Sequence, residues 1–140
     1  MIALNATQVR NDWSAVVDSV IREKPRFIKR TRDYIFLSDV NTIMQLLEPY
    51  TLTAETFIED DGSVTISLTQ IDLIENGNDE KEAIKKMAAA ILEYAEDYYN
   101  DFSYWARGDR KAHIPFVLKA LVLNDVDRIG GLIQCRHGGN

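Results

Sequence analysis

The chain has one cysteine, two histidines and no apolar run long enough to cross a bilayer. Each scarcity excludes something. Cys135 alone cannot close an internal disulfide, which fits a reducing compartment. It also lacks a positioned base of the kind thiol catalysis requires. With His113 and His137 as the only imidazoles, there is no zinc-type Cys/His spacing and no Ser/His/Asp set, and no Gly-rich phosphate loop is present. A stretch of about 18 apolar residues, the minimum for a membrane helix, is missing, and so is the charged-then-apolar order of a signal peptide. The expectation is a cytoplasmic protein that uses no membrane, metal or cofactor and catalyses nothing. His113 reads as structural, having no sequence-evident partner. Asp60-Asp61 and the pair Glu80 and Glu82 read as turn and helix-start residues rather than as a metal site.

What is present is an uneven distribution of charge. The 140 residues total −6, with 46% hydrophobic and 27% charged residues, an ordinary globular composition. Yet six basic side chains (Arg22, Lys24, Arg26, Lys29, Arg30, Arg32) stand within Arg22–Arg32 against the single acid Glu23. Residues 1–50 carry seven Lys/Arg and six Asp/Glu, residues 51–100 three and twelve, and residues 101–140 six and four. That asymmetry suggests a nucleic-acid end joined to a differently employed acidic end, although a charge run can also be a merely solvated face. Two units of this size would lean on partner chains for stability.

The spacing of apolar residues predicts the elements. After the short apolar segment of residues 1–4, Val9, Trp13, Val16, Val17, Val20 and Ile21 mark one face of a helix over residues 6–23, opened by Asn5 with Gln8 and closed by Pro25. Arg26–Arg30 and Tyr34–Ser38 form a hairpin with Thr31, Arg32 and Asp33 at its tip. A helix from Ser38 or Asp39, bearing Ile43, Met44, Leu46 and Leu47, ends near Pro49. The chain then turns acidic. Thr51–Glu59 and Ser63–Leu68 pair across Asp61-Gly62, and a third strand at Ile71–Ile74 is broken by Asn76-Gly77-Asn78. Asp79 and Glu82 open the longest helix, which runs to about Phe102 along Ile84, Met87, Ala88, Ile91, Ala95 and Tyr98. Its aromatic group (Tyr94, Tyr98, Tyr99, Phe102, Tyr104, Trp105) sits among acids, which favours packing or a protein interface over base stacking. A last helix starts near Pro115. The tail with Gly130, Gly131, Gly138 and Gly139 looks poorly ordered.

The first fifty residues resemble the Phd/YefM (prevent-host-death) antitoxins. The resemblance is carried by Asn5-Ala6-Thr7-Gln8-Val9-Arg10, by Arg26 through Ser38 over the hairpin, and by Asn41 through Leu47. Where a glycine is usual at the hairpin turn, Arg32-Asp33 stands instead. Residues 51 to about 125 are similar to the HicB-like antitoxin module, a three-stranded sheet with a long helix opening on a Glu-Ala pair, here Glu82-Ala83. The family's glycine-containing strand end has no counterpart in Ile71-Asp72-Leu73-Ile74. These resemblances imply an α+β chain: a strand-helix-hairpin-helix dimerisation and DNA-binding module over residues 1–50, then a small three-stranded sheet on a long helix with a C-terminal helix over residues 51–140. They imply DNA contact at Thr7, Arg10, Lys29, Arg30 and Arg32, residue types that hold phosphates and can read guanine edges.

The function implied is an antitoxin that forms a homodimer or higher oligomer, binds operator DNA in its own promoter and neutralises a cognate, RNA-directed toxin. The acidic half would imitate substrate phosphates. Toxin binding is expected at the long helix and at the face Ile114, Val117, Leu118 and Leu121, a stripe that could equally be internal core because both uses need the same spacing. The rival readings are a DNA-binding regulator whose acidic half binds a ligand or only dimerises, and a small hydrolase using the carboxylates between Asp60 and Glu82.

Overall fold

The computed structural model describes residues 2–137. Met1 of the first apolar segment, and Gly138 and Gly139 of the glycine tail, lie outside the described residues. The fold is mixed α+β, in two compact units, Met1–Leu46 and Leu47–Asn140. Leu47 is buried, and the Lys119 ammonium, itself buried, binds the carbonyls of Glu48 (3.3 Å) and Tyr50 (2.8 Å). These two hydrogen bonds tie Glu48–Tyr50 into the second unit.

In the first unit β1 (Leu4–Asn5) pairs in parallel with β2 (Arg26–Arg30), which pairs antiparallel with β3 (Asp33–Leu37). Between β1 and β2 run two helices where one was expected, α1 (Ala6–Asn11) and α2 (Trp13–Arg22). They part at Asp12, whose ψ of 33° leaves the helical region. Asn11 and Asp12 are both residues of low helix propensity, and Asp12 makes no side-chain bond that would cap α2. Asn5 caps α1 as its residue type predicts, but it accepts from the Thr7 amide at 2.8 Å rather than pairing with Gln8. The hairpin tip is tighter than expected, with Thr31 at φ +57°. A β-branched residue adopts that left-handed conformation only under strain. Asp39 caps α3 (Val40–Leu47) through the Thr42 amide at 3.0 Å.

The second unit differs more from expectation. Its sheet is four-stranded, not three, in the order β6-β5-β4-β7. β4 (Leu52–Ile58), β5 (Val64–Leu68) and β6 (Leu73–Gly77) form an antiparallel meander, and β7 (Ile133–His137) adds in parallel beside β4. The tail read as disordered thus contains a strand, with Cys135 opposite Ala54. Gly130 and Gly131 lie inside a helix, α7 (Val126–Leu132), that sequence reading missed. β6 runs through Asn76 and Gly77, which were expected to break it. A glycine therefore does stand at the strand end before the long helix, and a Cβ there would come within 2.4 Å of the Ala83 backbone nitrogen.

The long helix, α4 (Glu80–Asn100), starts at the Asp79 cap, which accepts from the Glu82 amide at 2.8 Å. Its buried side, Ala83, Met87, Ala88, Ile91, Ala95 and Tyr98, meets Ala54, Ile66 and Leu68 from the sheet in one continuous core. α5 (Phe102–Trp105), a 3₁₀ turn (Gly108–His113), α6 (Ile114–Leu123) and α7 close over it. Among the described residues no helix is long and apolar enough to cross a membrane.

Candidate functional site

The basic cluster comes apart into distinct groups in the folded first unit. Arg26 is used internally, its guanidinium meeting Glu23 at 2.6 Å and the Ser19 hydroxyl at 3.2 Å. Arg10, Lys29, Arg30 and Arg32 are exposed, and among the described residues none of them forms an ion pair. The Asn5 cap sets Thr7 in the first turn of α1 and Arg10 one turn on. Arg30, at the end of β2 opposite Asp33, reaches the same place. Ala6, Thr7, Arg10 and Arg30 line one recess of about 230 Å³. Two guanidinium groups and a hydroxyl around an open hollow can hold an oxyanion by charge-assisted hydrogen bonds. Lys29 is not part of it. Successive strand residues face opposite ways, and its ammonium lies 5.7 Å above the Tyr34 ring. Arg32 stands at the turn.

Next to this recess lies a larger apolar hollow of about 390 Å³, lined by Val9, Trp13, Ile28, Ile35 and Leu37 with Arg10 and Arg30 at its rim. Trp13 is 53% exposed and Ile35 54%. The opposite hairpin face carries Phe27 and Phe36, ring centres 5.1 Å apart and both partly exposed. A unit this small therefore leaves apolar side chains open on both sides of its sheet.

In the second unit, the four residues expected to touch a toxin are not one surface. Val117 is buried at 1% exposure, and Ile114 and Leu121 pack against the same core. Leu118 is half-buried. Core placement accounts for most of the stripe. The aromatic group divides likewise. Tyr98 is fully buried and donates to the Arg110 carbonyl at 2.6 Å, and Tyr94 and Trp105 pack beside it, whereas Tyr99, Phe102 and Tyr104 stay exposed.

Three of the four acids weighed as a metal site, Asp61, Glu80 and Glu82, have other employment. Asp61 accepts from the Ser63 amide at 2.9 Å, and hydrogen bonding from Ser63 holds its carboxyl below the usual value. Glu82 pairs with Lys86 at 3.3 Å and Glu80 with His137 at 2.7 Å. Among the described residues no group of three His, Cys, Asp or Glu is placed to hold a metal. Burial pushes the Cys135 thiol up from its ordinary value, against a smaller lowering by Thr56, so the reactive thiolate is disfavoured. The Glu80–His137 contact was invisible in sequence because it joins a helix start to a strand read as a tail.

His113 does have a partner. Its Nδ1 shares a 2.7 Å hydrogen bond with the Tyr94 hydroxyl in a buried position, and burial lowers its pKa below the ordinary 6.5, outweighing the opposing charge of Asp72. The native state then favours neutral imidazole, while the unfolded chain binds a proton first as pH falls. This group's contribution is complete above pH 6.5 and is lost as pH falls from there toward the lowered value. In a His137→Gln background, where His113 is the last imidazole, thermal stability should decline between pH 7 and pH 5. His113→Gln should flatten that slope, and an unchanged slope would remove His113 as its source.

The PHD-like family, described as "Antitoxin of toxin-antitoxin, RelE / RelB, TA system", matches residues 1–135. A crystal structure of an antitoxin part of a proposed toxin/antitoxin system from Syntrophomonas wolfei subsp. wolfei is 37% identical, covering 98% of this chain and 99% of that one, with a TM-score of 0.93. No curated protein matches the chain.

Proposed function

This chain belongs to the PHD-like family of antitoxins of toxin–antitoxin systems, and we propose that it is a cytoplasmic, non-catalytic antitoxin that dimerises and binds its own operator through the first unit and neutralises an RNA-directed toxin through the second. The observation that carries the DNA half is the recess that joins Thr7, Arg10 and Arg30, three side chains from two elements around one hollow. Phosphate contacts of this kind position a protein on a duplex. The order β1, α1/α2, the β2–β3 hairpin and α3 supports the Phd/YefM reading of that unit.

Dimerisation is supported by the apolar hollow around Trp13 and Ile35, which a second copy could fill by symmetry. The toxin half is supported by charge: residues 51–100 hold twelve acids against three bases. Such a surface imitates a nucleic-acid backbone toward a basic, RNA-directed protein. The antiparallel β4–β5–β6 meander on α4, with Ala83 of the Glu82-Ala83 pair buried against Gly77 at the strand end, supports the HicB-like reading, to which the parallel β7 is an addition.

The test uses the full chain with two probes, a duplex from its upstream promoter and the protein encoded beside it. Sedimentation should give a dimer at micromolar concentration. The duplex should bind with a steep salt dependence, and the neighbouring protein should form a complex and lose its toxicity on co-expression. A monomer that ignores both probes would overturn the proposal. Operator binding without any neutralisation would favour a DNA-binding regulator whose acidic half has another use.

A further inference from the structure

The far end of α4 is built against its own stability. Its last two turns expose Glu93, Glu96 and Asp97, and Asp101 follows as the exposed C-cap. The last turn contains no basic residue. Acids at the negative end of a helix dipole are unfavourable, as are like charges four apart, and both Glu93 with Asp97 and Asp97 with Asp101 have that spacing. Among the described residues none of the four lies within ion-pair distance of a cation, whereas the first turns of the same helix hold the Lys86–Glu82 pair. The fold makes no use of these charges.

Exposed aromatic rings stand beside them. Tyr99 is 59% exposed, Phe102 41% and Tyr104 52%. Phe102 and Tyr104 are held in place from beneath, edge-on to buried Tyr98 (5.6 Å) and half-buried Trp105 (5.5 Å). What such rings accept is already visible on one side of the cluster. The Arg110 guanidinium lies 5.1 Å above Tyr104 and 4.8 Å above Trp105. The exposed Tyr99 and the braced Phe102, fringed by uncompensated carboxylates, suit incoming arginine and lysine side chains, with ring faces taking the cation and carboxylates steering it. A nucleic acid would be repelled by the same charges.

We propose that this acidic, aromatic end of α4 and α5 is the docking surface for the basic face of the cognate toxin, and that Glu93, Glu96, Asp97, Tyr99, Phe102 and Asp101 are its main contacts. The inference rests on the antitoxin reading given above and adds where on the second unit the partner sits, away from the α6 stripe.

The experiment titrates the full chain with the protein encoded beside it at low and high salt, in three forms: the parent, Glu93→Gln/Glu96→Gln/Asp97→Asn, and Tyr99→Ala. The charge-neutral triple variant should bind about tenfold or more weakly at low salt and lose most of the parent's salt dependence. Its melting temperature should rise, because repulsion at the helix end is relieved; a surface that served only folding would not give that opposition. Tyr99→Ala should weaken binding while leaving the salt dependence in place. Parent-like affinity and salt dependence in the triple variant would overturn the assignment, leaving the antitoxin reading standing if the parent binds. A parent that fails to bind overturns both. Unchanged toxin binding combined with abolished self-association would give the surface to a second copy of the chain.

Discussion

Gly77→Ala should unfold the second unit at denaturant concentrations the parent survives, with a loss of about 3 kcal/mol or more. The added Cβ would lie 2.4 Å from the Ala83 nitrogen and 2.9 Å from the Glu82 carbonyl carbon, both backbone atoms in the first turn of α4. No rotamer change relieves such a clash. Either β6 or the start of α4 must move, and Ala83 is fully buried where it stands. The chain's two tryptophans report separately, Trp13 from the first unit and Trp105 from the second. In a Trp13→Phe background the Trp105 fluorescence transition should therefore shift to lower denaturant, and toxin neutralisation should fall with it. Gly131→Ala makes a control, since a Cβ there meets nothing within 4 Å and the residue lies in a helix. It should be neutral or mildly stabilising. A Gly77→Ala protein with an unshifted midpoint would show that the approach of strand and helix is looser than described.

Arg10→Ala combined with Arg30→Ala should lower operator affinity by about 100-fold or more at low salt and reduce the salt slope by about 0.9 for each phosphate no longer neutralised, twice over in a symmetric dimer. Both side chains are exposed and line the recess with Thr7, so the fold should survive their removal. Lys29→Ala should cost less, because Lys29 leaves the other face of the hairpin above Tyr34. A promoter-fragment titration separates these outcomes. If Lys29→Ala proves as damaging as the pair, the recess is not the centre of the interface.

How much of this could be read from residues depends on how local each contact is. Asn5, Asp39 and Asp79 cap helices because their side chains bond amides two or three residues on, which sequence displays directly. The β4–β5 pairing was legible from strict alternation at Val64, Ile66 and Leu68 around a turn whose Gly62 takes φ +87°. The β2–β3 hairpin was legible as well, apart from its strained Thr31. β7 was not legible. Its sequence, Ile-Gln-Cys-Arg-His, has one well-buried side chain, Ile133, and its partner strand is far away in the chain. The glycines before it looked like a tail, yet both stand inside α7, and Gly130 faces Ile84 and Ala88 of α4. Periodicity marked α6 correctly as a helix but could not say which neighbour its apolar side meets, and for Val117 that neighbour is the core. In the candidate DNA site, sequence supplied the side chains. Only the fold showed that Arg10 and Arg30 share a hollow from which Lys29 is turned away.

The parallel pairing of β7 with β4 has a consequence for the order of events during synthesis. Every contact that defines the first unit lies within its first 46 residues, and domains fold as units, N-terminal ones first, while translation proceeds at about 5–20 residues per second. The second unit must wait, because Leu52 finds its partner only when Ile133 has left the ribosome, and closing so distant a pair is intrinsically slow. A nascent chain thus acquires its proposed promoter-recognising part before its proposed toxin-recognising part. Until His137 has emerged, β4 presents an open edge, and interrupted synthesis would yield chains that can occupy the promoter without restraining the toxin.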